Sequence, residues 1–322
     1  MAPPFLKSQE EYQKLVDSVD TFLLDCDGVL YHGKQVVEGV RTVLDMLRKK
    51  GKKIIFVTNN ATKSRRKLKE TFDHLGLNAS LDECFGSAYA SAVYISQVLN
   101  FPKDKKVYVF GEEGLEEELD QCGIAHCGGS DPVDREFKAP IDFTVFKPDD
   151  SIGAVLCGFD SWINYQKLAK AMTYLRNPEC KLILTNTDPT FPTHGDVFPG
   201  GHFFAFVMPF FQLIGPTGSG SLSIPIVNAS KRKPLVIGKP NKMMMDAILA
   251  HHKFDSSRAL MVGDNLATDI AFGRNSKIRT LLVMGGVTKY EQVFGESPNE
   301  VVPDLVMNSF GDLAVLADAS EQ

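Results

Sequence analysis

Short apolar runs alternate with amphipathic segments in the first hundred residues of the chain. Residues 21–24 and 53–57 form runs of strand length, while residues 37–51 place apolar side chains every three or four positions, which is typical of a helix that ends at Gly51. A further helix is predicted near residues 64–76. The order strand, helix, strand, helix with short connections predicts parallel strands in a doubly wound sheet.

The same alternation returns near the C-terminal end. Runs at 234–238, 259–263 and 280–284 are predicted strands, and residues 242–252 a predicted helix. The intervening block has strand-like runs of its own, KVYVFG, AVLCGF and KLILTN. We therefore predict an α/β protein: a discontinuous Rossmann-like core of residues 1–103 and 234–322, with a doubly wound parallel sheet, and an inserted second α/β domain of residues 104–233.

Composition describes an ordinary globular protein. Of the 322 residues, 43% are apolar and 23% charged, and the net charge of −5 argues against a partner that is a nucleic acid or an anionic membrane. The six cysteines include no CxxC pair, which predicts reduced thiols, and no signal-like or membrane-spanning run is evident. A cytoplasmic location is the resulting expectation.

Two aspartates close the first predicted strand. In Asp25-Cys26-Asp27-Gly28, alternation places both carboxyl groups on one side of the chain and Cys26 on the other. Neighbouring carboxylates repel unless a cation or a proton separates them, and Mg²⁺ is the cation that such oxygen ligands suit. An aspartate can also act as a nucleophile toward phosphorus. Two solvated acids at a strand end are the alternative interpretation.

Polar residues also follow three other predicted strands. Thr58, Asn59 and Asn60 follow residues 53–57 and offer hydrogen-bond donors for a phosphoryl group, although such residues also cap helices. Lys239, after the run 234–238, suits stabilisation of phosphate charge, although a surface lysine is a common alternative.

The last of these strands is followed by two more acids. Asp264 is placed to complete a metal site, and Asp269 to orient Lys239 or to hold a metal-bound water, although both residues could instead cap helices. In open parallel sheets ligands bind beyond the carboxyl ends of the strands. The four strand ends are therefore expected to form one site.

These segments carry a family resemblance. DCDGVL, FVTNN, GKP and VGDNLATD resemble the four motifs of the haloacid dehalogenase-type phosphatases. GEEGLEEEL, GFDSWINYQKL, TNTDPTFP and GKPNKMMMD are similar to segments of the eukaryotic 4-nitrophenylphosphatase and phosphoglycolate phosphatase subfamily. The resemblance extends from about residue 20 to residue 315 and implies that the inserted domain is an α/β cap.

The resemblance implies roles for individual residues. Asp25 would be the nucleophile, and Asp27 would protonate the leaving alkoxide and then activate water. Mg²⁺ would be held by the Asp25 carboxylate, the Asp27 backbone carbonyl and Asp264. The residues expected to bind phosphate or substrate are Thr58, Asn59, Asn60, Lys239, Gly28 and His194.

The chain departs from the subfamily pattern at three places. Asn265 stands where relatives have arginine, and Phe191 stands where relatives that act on pyridoxal phosphate have histidine. The apolar segment 202–217 has no counterpart in the subfamily, and either an artefact of the gene model or an extra segment packed between cap and core accounts for it.

The function expected from this resemblance is hydrolysis of small phosphomonoesters through an aspartyl-phosphate. 2-Phosphoglycolate is the leading substrate and 4-nitrophenyl phosphate a test substrate. The alternatives are a phosphometabolite-binding or regulatory protein with vestigial catalysis, and a phosphoprotein phosphatase. Capped relatives often dimerise through the cap, so a homodimer is compatible with the sequence.

Overall fold

The computed structural model describes residues 2–136, 139–188, 190–193, 196–199, 220–296 and 299–318. The predictions for His194 and for the segment 202–217 fall outside these residues. Within the described part, no helix is both long and apolar enough to cross a bilayer.

Strands and helices alternate along the chain. The strands are β1 (Thr21–Leu24), β2 (Tyr31–His32), β3 (Gln35–Val36), β4 (Lys53–Thr58), β5 (Cys84–Gly86), β6 (Lys106–Phe110), β7 (His126–Gly128), β8 (Ile152–Cys157), β9 (Lys181–Leu184), β10 (Thr190–Thr193), β11 (Asp196–Pro199), β12 (Leu235–Val236), β13 (Ala259–Gly263), β14 (Arg279–Val283) and β15 (Leu305–Met307). The α-helices are α1 (Gln9–Ser18), α2 (Val40–Lys49), α3 (Arg65–His74), α4 (Ser87–Val93), α5 (Glu113–Gln121), α6 (Pro132–Arg135), α7 (Tyr165–Tyr174), α8 (Gly220–Ser230), α9 (Lys242–His251), α10 (Ala271–Asn275), α11 (Tyr290–Phe294) and α12 (Val315–Asp318). Residues Tyr94–Val98 and Leu266–Ile270 are π-helical, and Phe143–Val145, Ser256–Arg258 and Phe310–Ala314 are 3₁₀-helical.

A six-stranded sheet forms the first unit. Its order is β15-β14-β13-β1-β4-β5, and every pairing is parallel. The chain runs outward from β1 through β4 to β5 and later returns to β13 on the other side of β1. The direction of winding therefore changes between β1 and β13, which is where ligands bind in sheets of this kind.

Helices cover both faces of this sheet because its central strands are apolar on both sides. Phe22 and Leu24 pack in the hydrophobic cluster that holds α1, α2 and α3, while Leu23 packs in the cluster that holds α4, α9 and α10. Burial on both faces explains why the strands are apolar without interruption. The predicted doubly wound parallel sheet is confirmed.

A second, five-stranded parallel sheet has the order β12-β9-β8-β6-β7. The prediction that residues 234–238 form a core strand is wrong, because Leu235 pairs with Ile183 and Val236 with Leu184 in this second sheet. An apolar run shows that a strand is buried, but it does not show which sheet it joins.

The two units pack closely together. Leu115 and Leu119 of α5 and Ile183 of β9 share one buried hydrophobic cluster with Leu23 of β1 and Met244 of α9. Arg65, at the start of α3, donates to the buried carboxylate of Glu118 on α5. The second unit therefore packs on the same side of the first sheet as Leu23.

Candidate active site

Asp25 directly follows β1 at the point where the winding of the sheet changes direction. Its backbone N–H donates to the carbonyl oxygen of Val262 on β13 at 2.9 Å, which continues the ladder by one residue. The next side chain, Cys26, lies in the cluster with Phe22 and Leu24. Strand alternation thus turns Asp25 toward the side on which the second unit packs.

Lys239 joins two of the predicted acids. Its Nζ lies 2.6 Å from Oδ1 of Asp25 and 2.8 Å from Oδ1 of Asp269, and it donates to the carbonyl oxygen of Val57 at 2.8 Å. Burial by itself lowers the pKa of Lys239, but the carboxylates of Asp25 and Asp269 raise it well above its usual range. The side chain is therefore a fixed positive charge at the strand ends.

Asn59 holds the backbone of Lys239. Its Oδ1 accepts from the Lys239 N–H at 2.8 Å, and its Nδ2 donates to the Lys239 carbonyl oxygen at 3.0 Å. The same Nδ2 donates to Oδ1 of Asp188, also at 3.0 Å, and the Asn59 carbonyl oxygen accepts from Nδ2 of Asn186. The side-chain amide predicted to bind phosphate thus links Lys239 to the loop that follows β9.

Three carboxylates converge at this edge of the sheet. Asp25, Asp264 and Asp269 each offer an oxygen, and these oxygens lie within 4.8 Å of one another. Burial, reinforced by the charge of Asp269, raises the pKa of Asp25 well above its usual range and that of Asp264 to about 6, and Lys239 opposes both shifts. Full ionisation of the three carboxylates is therefore energetically unfavourable unless further positive charge lies close to them.

The backbone is shaped to fit the carboxylate of Asp264. Gly28 has φ of +83°, and a Cβ there would lie 2.2 Å from Oδ2 of Asp264. A Cβ on Gly286 would lie 1.7 Å from the same oxygen, which also accepts from the N–H of Val287 at 2.8 Å. Two glycines and one amide therefore fix the orientation of this side chain.

Asp27 is more accessible to solvent than Asp25. Partial desolvation by the surrounding protein raises its pKa, against the opposing charges of Lys63 and Lys239. Its carboxyl group does not belong to the three-carboxylate group of Asp25, Asp264 and Asp269. An accessible carboxyl with a raised pKa is suited to exchange protons with a bound ligand.

Thr58, Asn60 and Asn265 form local hydrogen bonds near the strand ends. Thr58 is buried, and its Oγ1 accepts from the backbone N–H of Asn60 at 3.2 Å. The Asn60 side chain holds a turn by accepting from the N–H and the hydroxyl of Thr62. Asn265 accepts from the N–H of Ala267 through its side-chain oxygen and so caps the π-helical turn.

Three contributors to this site are absent from the sequence predictions. Asp188 of the second unit reaches Asn59, while Gly286 and Val287 hold Asp264. A signal was present for the glycine, because Gly285-Gly286 follows the predicted strand at 280–284 just as Gly28 follows Asp27. The contact of Asp188 depends on how the two units pack, which the sequence pattern does not encode.

Comparison with known proteins gives a consistent result. A family model described as haloacid dehalogenase-like hydrolase matches residues 22–125, and a second, described as HAD-hydrolase-like, matches residues 236–313. A 4-nitrophenylphosphatase of Schizosaccharomyces pombe is 44% identical over 313 residues, which cover 97% of this chain and 99% of that protein. Phosphoglycolate phosphatase 2 of Arabidopsis thaliana is 41% identical over 322 residues, covering 99% of this chain and all of that protein.

Solved structures agree with this result. The p-nitrophenyl phosphatase from Archaeoglobus fulgidus matches with a TM-score of 0.71 at 30% sequence identity. The match covers 94% of this chain and 99% of that chain. Both of the described units therefore have counterparts in a solved phosphatase.

Proposed function

We propose that this chain, which belongs to the haloacid dehalogenase-like hydrolases and is a phosphatase of phosphoric monoesters, hydrolyses 2-phosphoglycolate with Mg²⁺ as its cation. One observation carries the proposal: Asp25, Lys239 and the acids Asp264 and Asp269 lie together at the point where the sheet reverses its winding. The substrate is supported by the name of the Arabidopsis relative.

The residues present fit a divalent cation. Asp25 and Asp264 offer neighbouring carboxylate oxygens of the kind that Mg²⁺ takes, and we assign the backbone carbonyl of Asp27 as a third ligand. The bound cation would favour the ionised forms of both carboxylates and would neutralise charge on the phosphoryl group. Asp269 is fully buried against Lys239, so we assign it the role of orienting that lysine.

In the first step Asp25 acts as the nucleophile. One of its oxygens attacks phosphorus, the ester P–O bond breaks, and Asp27 donates its proton to the departing alkoxide. Lys239 donates a hydrogen bond to the other oxygen of Asp25 and places a positive charge beside the phosphoryl group that is transferred. The product is an aspartyl-phosphate on Asp25 and the free alcohol.

In the second step water removes the phosphoryl group. Asp27, now ionised, accepts a proton from a water that attacks phosphorus, and the bond from phosphorus to Asp25 breaks. Inorganic phosphate leaves, and both aspartates return to their starting protonation states. Thr58, at the end of β4, completes the phosphate site in this proposal, whereas the N–H of Gly28 already donates to the carbonyl oxygen of Tyr31 at 2.9 Å.

The second unit restricts which substrates can reach the active site. We propose that it is a cap that begins near residue 104 and ends after Val236, because β12 belongs to its sheet. Its Asp188 contacts Asn59, which holds Lys239, so the cap reaches the phosphate site. A cap that covers the phosphate site favours small metabolites over phosphoproteins as substrates. The cytoplasmic location and the homodimer remain predictions.

A panel of phosphate esters tests this proposal. With Mg²⁺, kcat/KM for 2-phosphoglycolate is expected to exceed that for glycerol 3-phosphate and pyridoxal 5′-phosphate by about 10-fold or more, whereas a phosphoserine peptide is not hydrolysed. EDTA is expected to abolish phosphate release, and added Mg²⁺ to restore it. Asp25→Asn protein serves as the blank for contaminating phosphatase. Equal rates on all esters, or full activity in EDTA, would contradict the assignment.

Gly286→Ala tests the role of Asp264. Because the new Cβ would lie 1.7 Å from Oδ2 of Asp264, the carboxylate must move, and the Mg²⁺ concentration for half-maximal activity is expected to rise by about 10-fold or more. Gly285→Ala is the matched control, since the nearest atom to its Cβ is the Gly28 carbonyl oxygen at 3.8 Å. An unchanged Mg²⁺ requirement in folded Gly286→Ala protein would remove Asp264 from the metal site.

A further inference from the structure

A second cluster of metal-binding side chains lies at the opposite edge of the core sheet. Asp82 precedes β5, and His251 and His252 follow each other at the end of α9. Their ligand atoms lie within 4.8 Å of one another. Since β4 and β5 run parallel to β1, this edge carries the amino ends of the strands, away from Asp25.

The three side chains already converge on one another. Nε2 of His251 lies 2.9 Å from Oδ1 of Asp82, and Nδ1 of His252 lies 3.7 Å from Oδ2 of the same carboxylate. The two imidazole rings are 4.6 Å apart between centroids and nearly perpendicular. Metal–ligand bonds of about 2.0–2.2 Å need only small side-chain movements from this arrangement.

Neighbouring groups hold the histidines in place. The Tyr89 hydroxyl lies 3.1 Å from Nδ1 of His251, the kind of outer partner that orients metal-bound imidazoles. His252 is 4% exposed, and its Nε2 has no hydrogen-bond partner among the residues that the structure describes. A buried imidazole nitrogen without a partner is the kind of polar group that a bound cation can satisfy.

We propose that Asp82, His251 and His252 form a second cation site, distinct from the catalytic one and suited to Zn²⁺. Imidazole nitrogens with one carboxylate are donors of the kind that Zn²⁺ takes and that Mg²⁺ does not prefer. The site ties the end of α9 to the loop before β5. Its role is structural: α9 begins just after Lys239, so the cation anchors the far end of the helix that follows the catalytic lysine.

Calorimetric titration with Zn²⁺ in the presence of excess Mg²⁺ tests the site. The protein is first freed of metal with EDTA and then kept in excess Mg²⁺, so that Mg²⁺ competes for the catalytic carboxylates. Wild-type protein is expected to bind one Zn²⁺ that raises its Tm by several degrees. His251→Gln and Asp82→Asn are expected to weaken this binding by about 100-fold or more, without loss of phosphatase activity.

Two further variants separate ligation from nonspecific effects. His74→Gln removes an exposed histidine of α3 and is expected to leave Zn²⁺ binding unchanged. Lys53→Gln removes a positive charge near His252 that would repel a bound cation. The variant is therefore expected to bind Zn²⁺ severalfold more tightly. Failure of wild-type protein to bind Zn²⁺ under these conditions, or equal binding by wild-type and His251→Gln protein, would overturn the proposal.

Discussion

Asp25→Asn is expected to lower kcat for 4-nitrophenyl phosphate and for 2-phosphoglycolate by roughly 10⁴-fold or more. The amide is a poor nucleophile, and no other group takes over the attack on phosphorus in the proposed mechanism. Steady-state phosphate release measures the effect. An activity that falls only severalfold would remove Asp25 from the nucleophile role.

The Tm of the Asp25→Asn variant distinguishes loss of the nucleophile from loss of activity through misfolding. In the Asp25→Asn variant the amide adds no negative charge beside Asp264 and Asp269, and Lys239 keeps its ion pair with Asp269, so Tm is expected to stay the same or rise. Asp45→Asn, on the exposed face of α2, is the matched control with the same chemical change and is expected to keep full activity.

Asp27→Asn is expected to affect the two substrates differently. With 4-nitrophenyl phosphate, whose leaving group needs little protonation, the first step survives while the second loses its base. A burst of nitrophenol, stoichiometric with enzyme, is therefore expected before a turnover slowed by about 10²- to 10⁴-fold. With 2-phosphoglycolate, an alkyl ester, the first step is slow as well and no burst is expected.

Rapid-mixing kinetics on the same Asp27→Asn preparation compare the two esters, so each substrate is a control for the other. Equal slowing of both esters without a burst would indicate that Asp27 positions the substrate rather than transferring protons. Hydrolysis of 2-phosphoglycolate at the wild-type rate would remove Asp27 from the acid and base role altogether.

The sequence predicted most of the site because parallel strands share one carboxyl edge. Asp25, Lys239 and Asp264 are more than 200 residues apart at the extremes, yet each follows an apolar run. A doubly wound sheet brings such positions together whatever their separation along the chain. The sequence placed Asp269 either to orient Lys239 or to hold a metal-bound water, and in the structure its Oδ1 lies 2.8 Å from Nζ of Lys239.

Contacts that depend on packing between the two units were not predictable. The sequence predicts that Asn59 binds phosphate, but its side-chain amide forms hydrogen bonds with the Lys239 backbone and with Asp188 of the second unit. Nothing in the local pattern of either segment specifies this partner. The pairing of Leu235–Val236 with β9 is unpredictable for the same reason, since strand pairing is a long-range property.

The central claim is that Asp25 carries the phosphoryl group during turnover, and trapping the phosphoenzyme tests it most directly. Asp27→Asn protein is mixed with Mg²⁺ and 4-nitrophenyl phosphate, quenched in acid during the slow phase and digested, and the peptides are analysed by mass spectrometry. The proposed mechanism predicts one phosphoryl group on the peptide that contains Asp25, and none when Asp25 is also changed to asparagine. A phosphoryl group on another residue, or nitrophenol release with no covalent phosphoenzyme, would contradict the claim.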